Sequence, residues 1–344
     1  MNSTMRHVGG TRRSATNVAV LGLQPPEAVA LYLSSVILAI RAHEPVVGVI
    51  GTPGTRIAHL PCGPFMPSEH ANLETGLRAV VEQQAGLRIG GGLALCTFGE
   101  AIPQSSSDLT PAPQPRTALH SVALSYLSLL PPEQAEERPG LIWQSWYDIF
   151  PWEDWRNGKP RCLKETIEPH LATWAGTVGA DGVRTAAMLD RGQRVRIAFG
   201  TDEMGWDEEK IVERYDVLCD AGLVGERGEG MGVALWHPSL GLHTRVLASA
   251  IAELRRTIKT RPAIFDLMPE LFTLFELQKA VEGILGPHLH KQNFRRLVEG
   301  EGLVEPTGDV RQRTGGRPAR LYRFRRTVLL ERSTPGVRVK AGRG

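Results

Sequence analysis

Between Thr273 and Phe324 the chain reads as two short amphipathic helices followed by a basic hairpin, and no other stretch restricts its fold so tightly. Thr273 followed by Glu276 makes a capping box. Leu274, Leu277, Val281, Ile284 and Leu285 then recur at helical spacing, and Gly286-Pro287 stops that helix. A short turn leads to a second helix over about 291–299, with Phe294, Leu297 and Val298 facing inward. At about 100° per residue, Gln292 and Arg296 fall opposite that apolar face, flanked by Asn293 and Arg295, with Lys291 at the start. Gly302 ends the helix, Leu303-Val304 opens a strand, and VRQRTGGRPARLYRF (310–324) reads as a hairpin turning at Gly315-Gly316.

Helix, turn, helix and hairpin wing is a DNA-binding arrangement, the winged helix-turn-helix. The amide and guanidinium groups of Lys291, Gln292, Asn293, Arg295 and Arg296 suit adenine and guanine edges in the major groove. Arg311, Arg313, Arg317 and Arg320 on the wing suit phosphates or a narrow minor groove. Charge points the same way. The chain has 40 Lys+Arg against 37 Asp+Glu, but from Arg255 onward the count is 19 against 9, leaving the rest of the chain net acidic. Winged helices also serve as protein-contact modules, and a basic end can be a solvated tail. The coincidence of charge with two exposed elements favours double-stranded DNA.

With 344 residues, 42% of them hydrophobic and 22% charged, the chain suits two or three globular domains and excludes wholesale disorder. Its longest near-apolar stretch, Ala28 to Ile40, is short of the ~20 residues of a membrane helix, so no membrane partner is expected. The first twenty residues lack the apolar block of a secretory signal. Cys62, Cys96, Cys162 and Cys219 form no CxxC pair, which argues against a zinc knuckle, a redox motif or a disulfide scaffold. A cytoplasmic protein is expected.

Residues 1–17 read as a disordered tail. Residues 18–133 read as a mixed α/β domain: strands over 29–40, 46–50, 93–98 and 117–130, a helix over 73–87 and a mobile Pro/Ser loop over 103–115. Residues 134–260 read as a connecting or dimerisation region. It opens with a tryptophan-dense run (142–160), expected to be core or a domain seam, although Trp152 and Trp155 are also candidates to stack on adenine. One helix follows, capped by Asp207, with Ile211, Val212, Tyr215, Leu218 and Cys219 on one face. In another, Leu247, Ile251, Leu254 and Ile258 make a seam that fits packing within the monomer or between two copies. GERGEGMG (225–232) lacks the Lys-Ser/Thr ending of a P-loop and reads as a flexible hairpin loop. The winged helix takes 261–332 and a basic tail 333–344.

The segment LPCGPFMPSEHANLETGLRAVVEQQAGL (60–87) resembles a Nudix box, whose clustered carboxylates on one helix face hold Mg²⁺ against a diphosphate. Anchored on Gly86, the comparison places Ala79 where the motif has Arg. It places Val80, Gln83 and Gln84 where the motif has its three Glu residues, and Cys62 at the first glycine of the turn. Glu69, Glu74 and Glu82 do not recreate the triad. A Nudix-like fold without metal or hydrolysis is the expectation.

A Nudix-like domain joined to a C-terminal winged helix resembles the Nudix-related regulators of NAD metabolism, the NrtR group, and most of all their NadQ-type relatives. The stretches that carry the resemblance are the box, CTFGE (96–100), FPWEDWRNGKP (150–160), DEEKIVERYDVLCDAGLV (207–224), FDLMPELFTLFELQ (265–278), LHKQNFRRLVEGEGLVEPTG (289–308) and GGRPARLYRFRR (315–326). The resemblance implies an α+β chain made of a Nudix-like α/β domain, a helical middle region and a winged helix-turn-helix. It implies a non-enzymatic repressor of NAD biosynthesis genes that binds palindromic operators as a homodimer. An adenine nucleotide (NAD, ATP or ADP-ribose) would be its effector, bound without hydrolysis, with no cofactor required. Phe65, Glu69 and Arg78, in or beside the box, are the candidate ligand residues. The long Pro/Ser loop and Cys62 depart from the family pattern and bear on ligand choice. Two other readings stand: a nucleotide pyrophosphatase using non-standard carboxylates such as Glu69, with the winged helix as a docking module, and a purely structural partner protein.

Overall fold

A twelve-residue strand, β1 (Ala30–Arg41), organises the N-terminal half, and residues 33–40 within it are all buried. Its near-continuous apolar run is what a strand covered on both faces requires. In the computed structural model the described residues are 30–52, 58–100, 121–176, 189–225, 240–241, 243–312, 318–331 and 336–337. The expected tail 1–17, the loop 103–115, all but the first residue of GERGEGMG, and all of 333–344 except Gly336 and Val337 lie outside them.

β2 (Glu44–Gly51) returns antiparallel to β1 through a two-residue turn, and β3 (Ala58–His59) pairs with β2. β4 (Cys62–Pro64) pairs with the N-terminal part of β1, Ser34 lying opposite Cys62. Helix α1 (Leu73–Ala85) follows, closed by a reciprocal Asn72–Thr75 capping box and by Gly86 at φ 62°. β5 (Leu93–Glu100) pairs with β6 (Ser121–Leu129), which runs parallel to β1. β7 (Leu141–Ser145) adds to β2, so among the described residues the sheet has seven strands and continues past the boundary expected at 133. The tryptophans of the following segment hid that strand.

The sheet is covered on both faces. Leu33, Ile37 and Ala39 share a core with Leu77, Val81 and Ala85 of α1. Val36, Leu38 and Ile40 belong to a larger core formed with the rest of the chain. That side includes α2 (Trp146–Ile149), α3 (Glu168–Gly176), α4 (Arg191–Phe199), α5 (Ile211–Asp220) and α6 (His243–Thr260). Leu247, Ile251, Leu254 and Ile258 of α6 are at most 1% exposed, so that seam is spent inside the chain. Asp207 does not cap α5. It accepts from the Glu209 amide in the preceding turn (3.0 Å), and Lys210 occupies the cap position.

The C-terminal region comprises α7 (Leu274–Leu285), α8 (Lys291–Gly300), the hairpin β8 (Val304–Arg311) and β9 (Ala319–Phe324), and α9 (Val328–Glu331). The Thr273–Glu276 capping box forms as the spacing requires. Among the described residues no helix is long and apolar enough to cross a membrane.

Candidate functional site

The degenerate box is closed by an amide. Gln84 accepts from the Cys62 amide through Oε1 (3.0 Å) and donates through Nε2 to the Cys62 carbonyl (2.7 Å). A glutamate at this position cannot make the second bond while ionised. Val80 is buried against Gly63, where an added Cβ would lie 2.9 Å from Val80 Cγ2. Gln83 is exposed. Glu82 pairs with Arg88 (3.1 Å) and Glu74 with Arg78 (2.7 Å). Burial pushes the Cys62 thiol up to about 11, so it stays protonated. Mg²⁺ takes hard oxygen ligands, and a buried valine, a committed amide and a protonated thiol do not supply them. Among the described residues no group of three His, Cys, Asp or Glu side chains is placed to hold a metal.

The expected ligand residues separate into two places. Phe65, Glu69 and Arg78 border the N-terminal half of α1. Phe65 is half-buried beside His70 and against Gly76, and Glu69 is exposed in the turn before the helix. Arg78 is held by Glu74 and by the Gly90 carbonyl. The tryptophans lie in the core shared with the middle region. Trp152 is fully buried edge-on to Phe150, and Trp155 rests on Trp206 with ring centres 4.7 Å apart. Trp152, fully buried, offers no face to adenine, whereas Trp155 is half-buried against Trp206.

α8 presents a different surface. Phe294 and Val298 are buried, while Lys291, Gln292, Asn293, Arg295 and Arg296 are all exposed. Among the described residues none of these three cations has a carboxylate partner. Elsewhere arginines are mostly paired: Arg156 with Asp154, Arg245 with Asp216, Arg325 with Glu331. On the wing, Arg320 is exposed, whereas Arg311 is tied to Glu276 (2.6 Å) and the Leu271 carbonyl (3.2 Å). Arg313 and Arg317 lie outside the described residues.

Residues 264–324 match the family model of the NrtR DNA-binding winged helix domain. The C-terminal region is an NrtR-type winged helix. A curated relative, the ADPR responsive transcriptional repressor NtrR of Acinetobacter baylyi, is 45% identical over 82 residues. That stretch is 24% of this chain and 32% of the relative, so the chain matches about a third of its length. Shewanella oneidensis NrtR, solved with a 27mer DNA, is 17% identical with a TM-score of 0.49, over 87% of this chain and 94% of that one. A MutT/nudix family protein of Enterococcus faecalis is 14% identical with a TM-score of 0.45, over 90% and 94%.

The turn of the winged helix hangs on Glu282. Its buried carboxylate accepts from Gln278 (2.8 Å), Lys279 (2.8 Å) and the Leu289 amide (3.0 Å), and His288 Nδ1 lies 2.9 Å from it. Burial raises that carboxyl, but the bonds from Lys279, Gln278 and Leu289 win and hold it below the usual range. Behind the winged helix lies a group that the sequence did not single out. Glu153 receives Arg214 (2.6 Å) and Arg255 (2.7 Å), and all three side chains are at most 1% exposed. Burial would raise Glu153; the two guanidiniums overcome it and depress the carboxyl. The signal was there: Arg214 and Arg255 occupy positions on the apolar stripes of α5 and α6, where a charge needs a buried partner.

Proposed function

We propose that this protein is a DNA-binding transcriptional repressor of NAD biosynthesis genes that answers to an adenine nucleotide, ADP-ribose in preference to NAD or ATP, and does not hydrolyse it. The observation that carries the reading is the exposed face of α8, whose three cations lack described carboxylate partners within an NrtR-type winged helix. Cations left without protein partners are what phosphates and guanine edges recruit. The choice of ADP-ribose rests on the name of the Acinetobacter relative. The non-hydrolytic reading rests on the Gln84–Cys62 clamp and the buried Val80.

Gln292, Asn293, Arg295 and Arg296 specify sequence in this account, with Lys291 beside them, and Arg311, Arg313, Arg317 and Arg320 anchor the wing. Phe65, Glu69 and Arg78 border the nucleotide site. The protein acts in the cytoplasm as a homodimer on a palindrome, its two recognition helices about one DNA turn, ~34 Å, apart. A nucleotide that favours one placement of these helices alters operator affinity by linkage, typically about 5- to 150-fold.

A gel shift on promoter DNA of NAD biosynthesis genes, titrated with ADP-ribose, NAD and ATP, tests the proposal. A specific complex that ADP-ribose modulates supports it. Mg²⁺-dependent release of AMP from ADP-ribose, with indifference to promoter DNA, would favour the pyrophosphatase reading instead.

A further inference from the structure

The last carbonyls of an α-helix have no partner inside the helix. At the end of α7 two of them are served from outside the winged helix. Tyr147 Oη donates to the Gly283 carbonyl at 2.7 Å, and Arg255 Nε donates to the Ile284 carbonyl at 2.8 Å. Tyr147 stands in α2, directly after sheet strand β7, and Arg255 stands in α6. Arg255 is itself fixed by Glu153 (2.7 Å) and by the Glu208 carbonyl (2.7 Å). A cation here also meets the negative end of the helix dipole.

The backbone at this seat leaves little slack. A Cβ on Gly283 would lie 3.2 Å from the His43 carbonyl, and one on Gly286, at φ 96°, would lie 3.0 Å from the Glu153 carbonyl. His43 and Ala42 form the β1–β2 turn, both with positive φ (70° and 49°), a conformation that costs a non-glycine residue energy. β1 joins two places that matter. Ser34 pairs with Cys62 of the degenerate box, and Arg41 adjoins the turn against α7, roughly 23 Å away at ~3.3 Å per residue.

We infer that Tyr147 and Arg255 are positioning residues for the recognition helix: they cap α7 from the sheet side, and through them the nucleotide sets how α8 is presented to DNA. The inference rests on the proposed function and assigns its regulation to named donors. A reorientation of the winged helix must break both caps and leave two buried carbonyls unpartnered, so the junction favours discrete arrangements over continuous tilt.

Tyr147→Phe removes the hydroxyl and keeps the ring. Binding of the full chain to an operator duplex is measured by fluorescence anisotropy with and without saturating ADP-ribose, and the ratio of the two Kd values is the coupling. Gly283→Ala, which crowds the same seat while favouring the helix, is measured alongside, with thermal melts and random-duplex binding for each. The expected result is a modest fall in melting temperature and near-wild-type random-duplex binding, with the coupling ratio of both variants moved about 5-fold or more toward one. Wild-type coupling in both variants would overturn the inference while leaving the proposed function intact. A wild-type ratio of one would overturn the proposed function, and this inference with it.

Discussion

Restoring one glutamate to the degenerate box should damage the protein rather than revive an enzyme. In Gln84→Glu the bond from the Cys62 amide survives, because Oε1 still accepts. The bond from Nε2 to the Cys62 carbonyl, 2.7 Å in length, is replaced by two oxygens facing each other. The lost bond is worth about 1 kcal/mol, and a carbonyl left half-buried opposite a carboxylate adds about 1–2 kcal/mol. The sum, about 2–3 kcal/mol, corresponds to a fall in Tm of roughly 3–4 °C for a chain of this size. Protonation would let the new carboxyl donate again, so its folded pKa is raised. Stability is therefore regained below about pH 4 and lost as pH rises through the shifted value. Thermal melts from pH 3.5 to 8, with and without Mg²⁺, read this directly, together with assay of AMP release from ADP-ribose. A variant that melts at the wild-type temperature, gains stability from Mg²⁺ and releases AMP would refute the clamp and the reasoning built on it.

Three further outcomes follow from the geometry. Arg296→Ala should lose about 1–3 kcal/mol of discrimination between operator and random duplex, whereas Arg320→Ala should weaken both alike and lower the salt dependence by about one counterion, read from anisotropy at several salt concentrations. Glu153→Gln leaves Arg214 and Arg255 buried without their counter-charge and should cost about 3–5 kcal/mol in denaturant unfolding. Because the folded pKa of Glu153 is depressed, the wild-type advantage should be present above the normal carboxylate range and fade as pH falls through the folded value. His243 is held neutral by burial, with His59 a secondary cause, its pKa lowered to about 4, while its Nδ1 accepts from the Leu60 amide (3.3 Å). Wild-type stability should thus decline between about pH 6.5 and 4, by on the order of 3 kcal/mol, and His243→Asn should flatten that decline.

Local signals were legible and long-range ones were not. The Thr273–Glu276 box, the Gly286 stop and the inward Phe294 and Val298 are set within a few residues, and each stands where its spacing required. Val80 and Gln84 announced the lost carboxylates, but not that Gln84 would hold the Cys62 backbone, a contact made across 22 positions. The Glu153 group joins residues 61 and 102 positions apart, and only the misplaced charges on two apolar stripes hinted at it. β7 escaped because its pairing with β2 is non-local and its composition matched the aromatic run beside it. Trp152 was offered to a ligand for the opposite reason: exposure is a property of packing, and a tryptophan's sequence neighbours do not reveal it.

Nucleotide sensing without metal or turnover is tested by titrating ADP-ribose into the protein–operator complex in EDTA. Anisotropy follows the complex, and chromatography assays the nucleotide afterwards. Operator affinity should shift, with the ADP-ribose recovered intact. A shift that appears only with Mg²⁺ and is accompanied by AMP would contradict sensing of this kind.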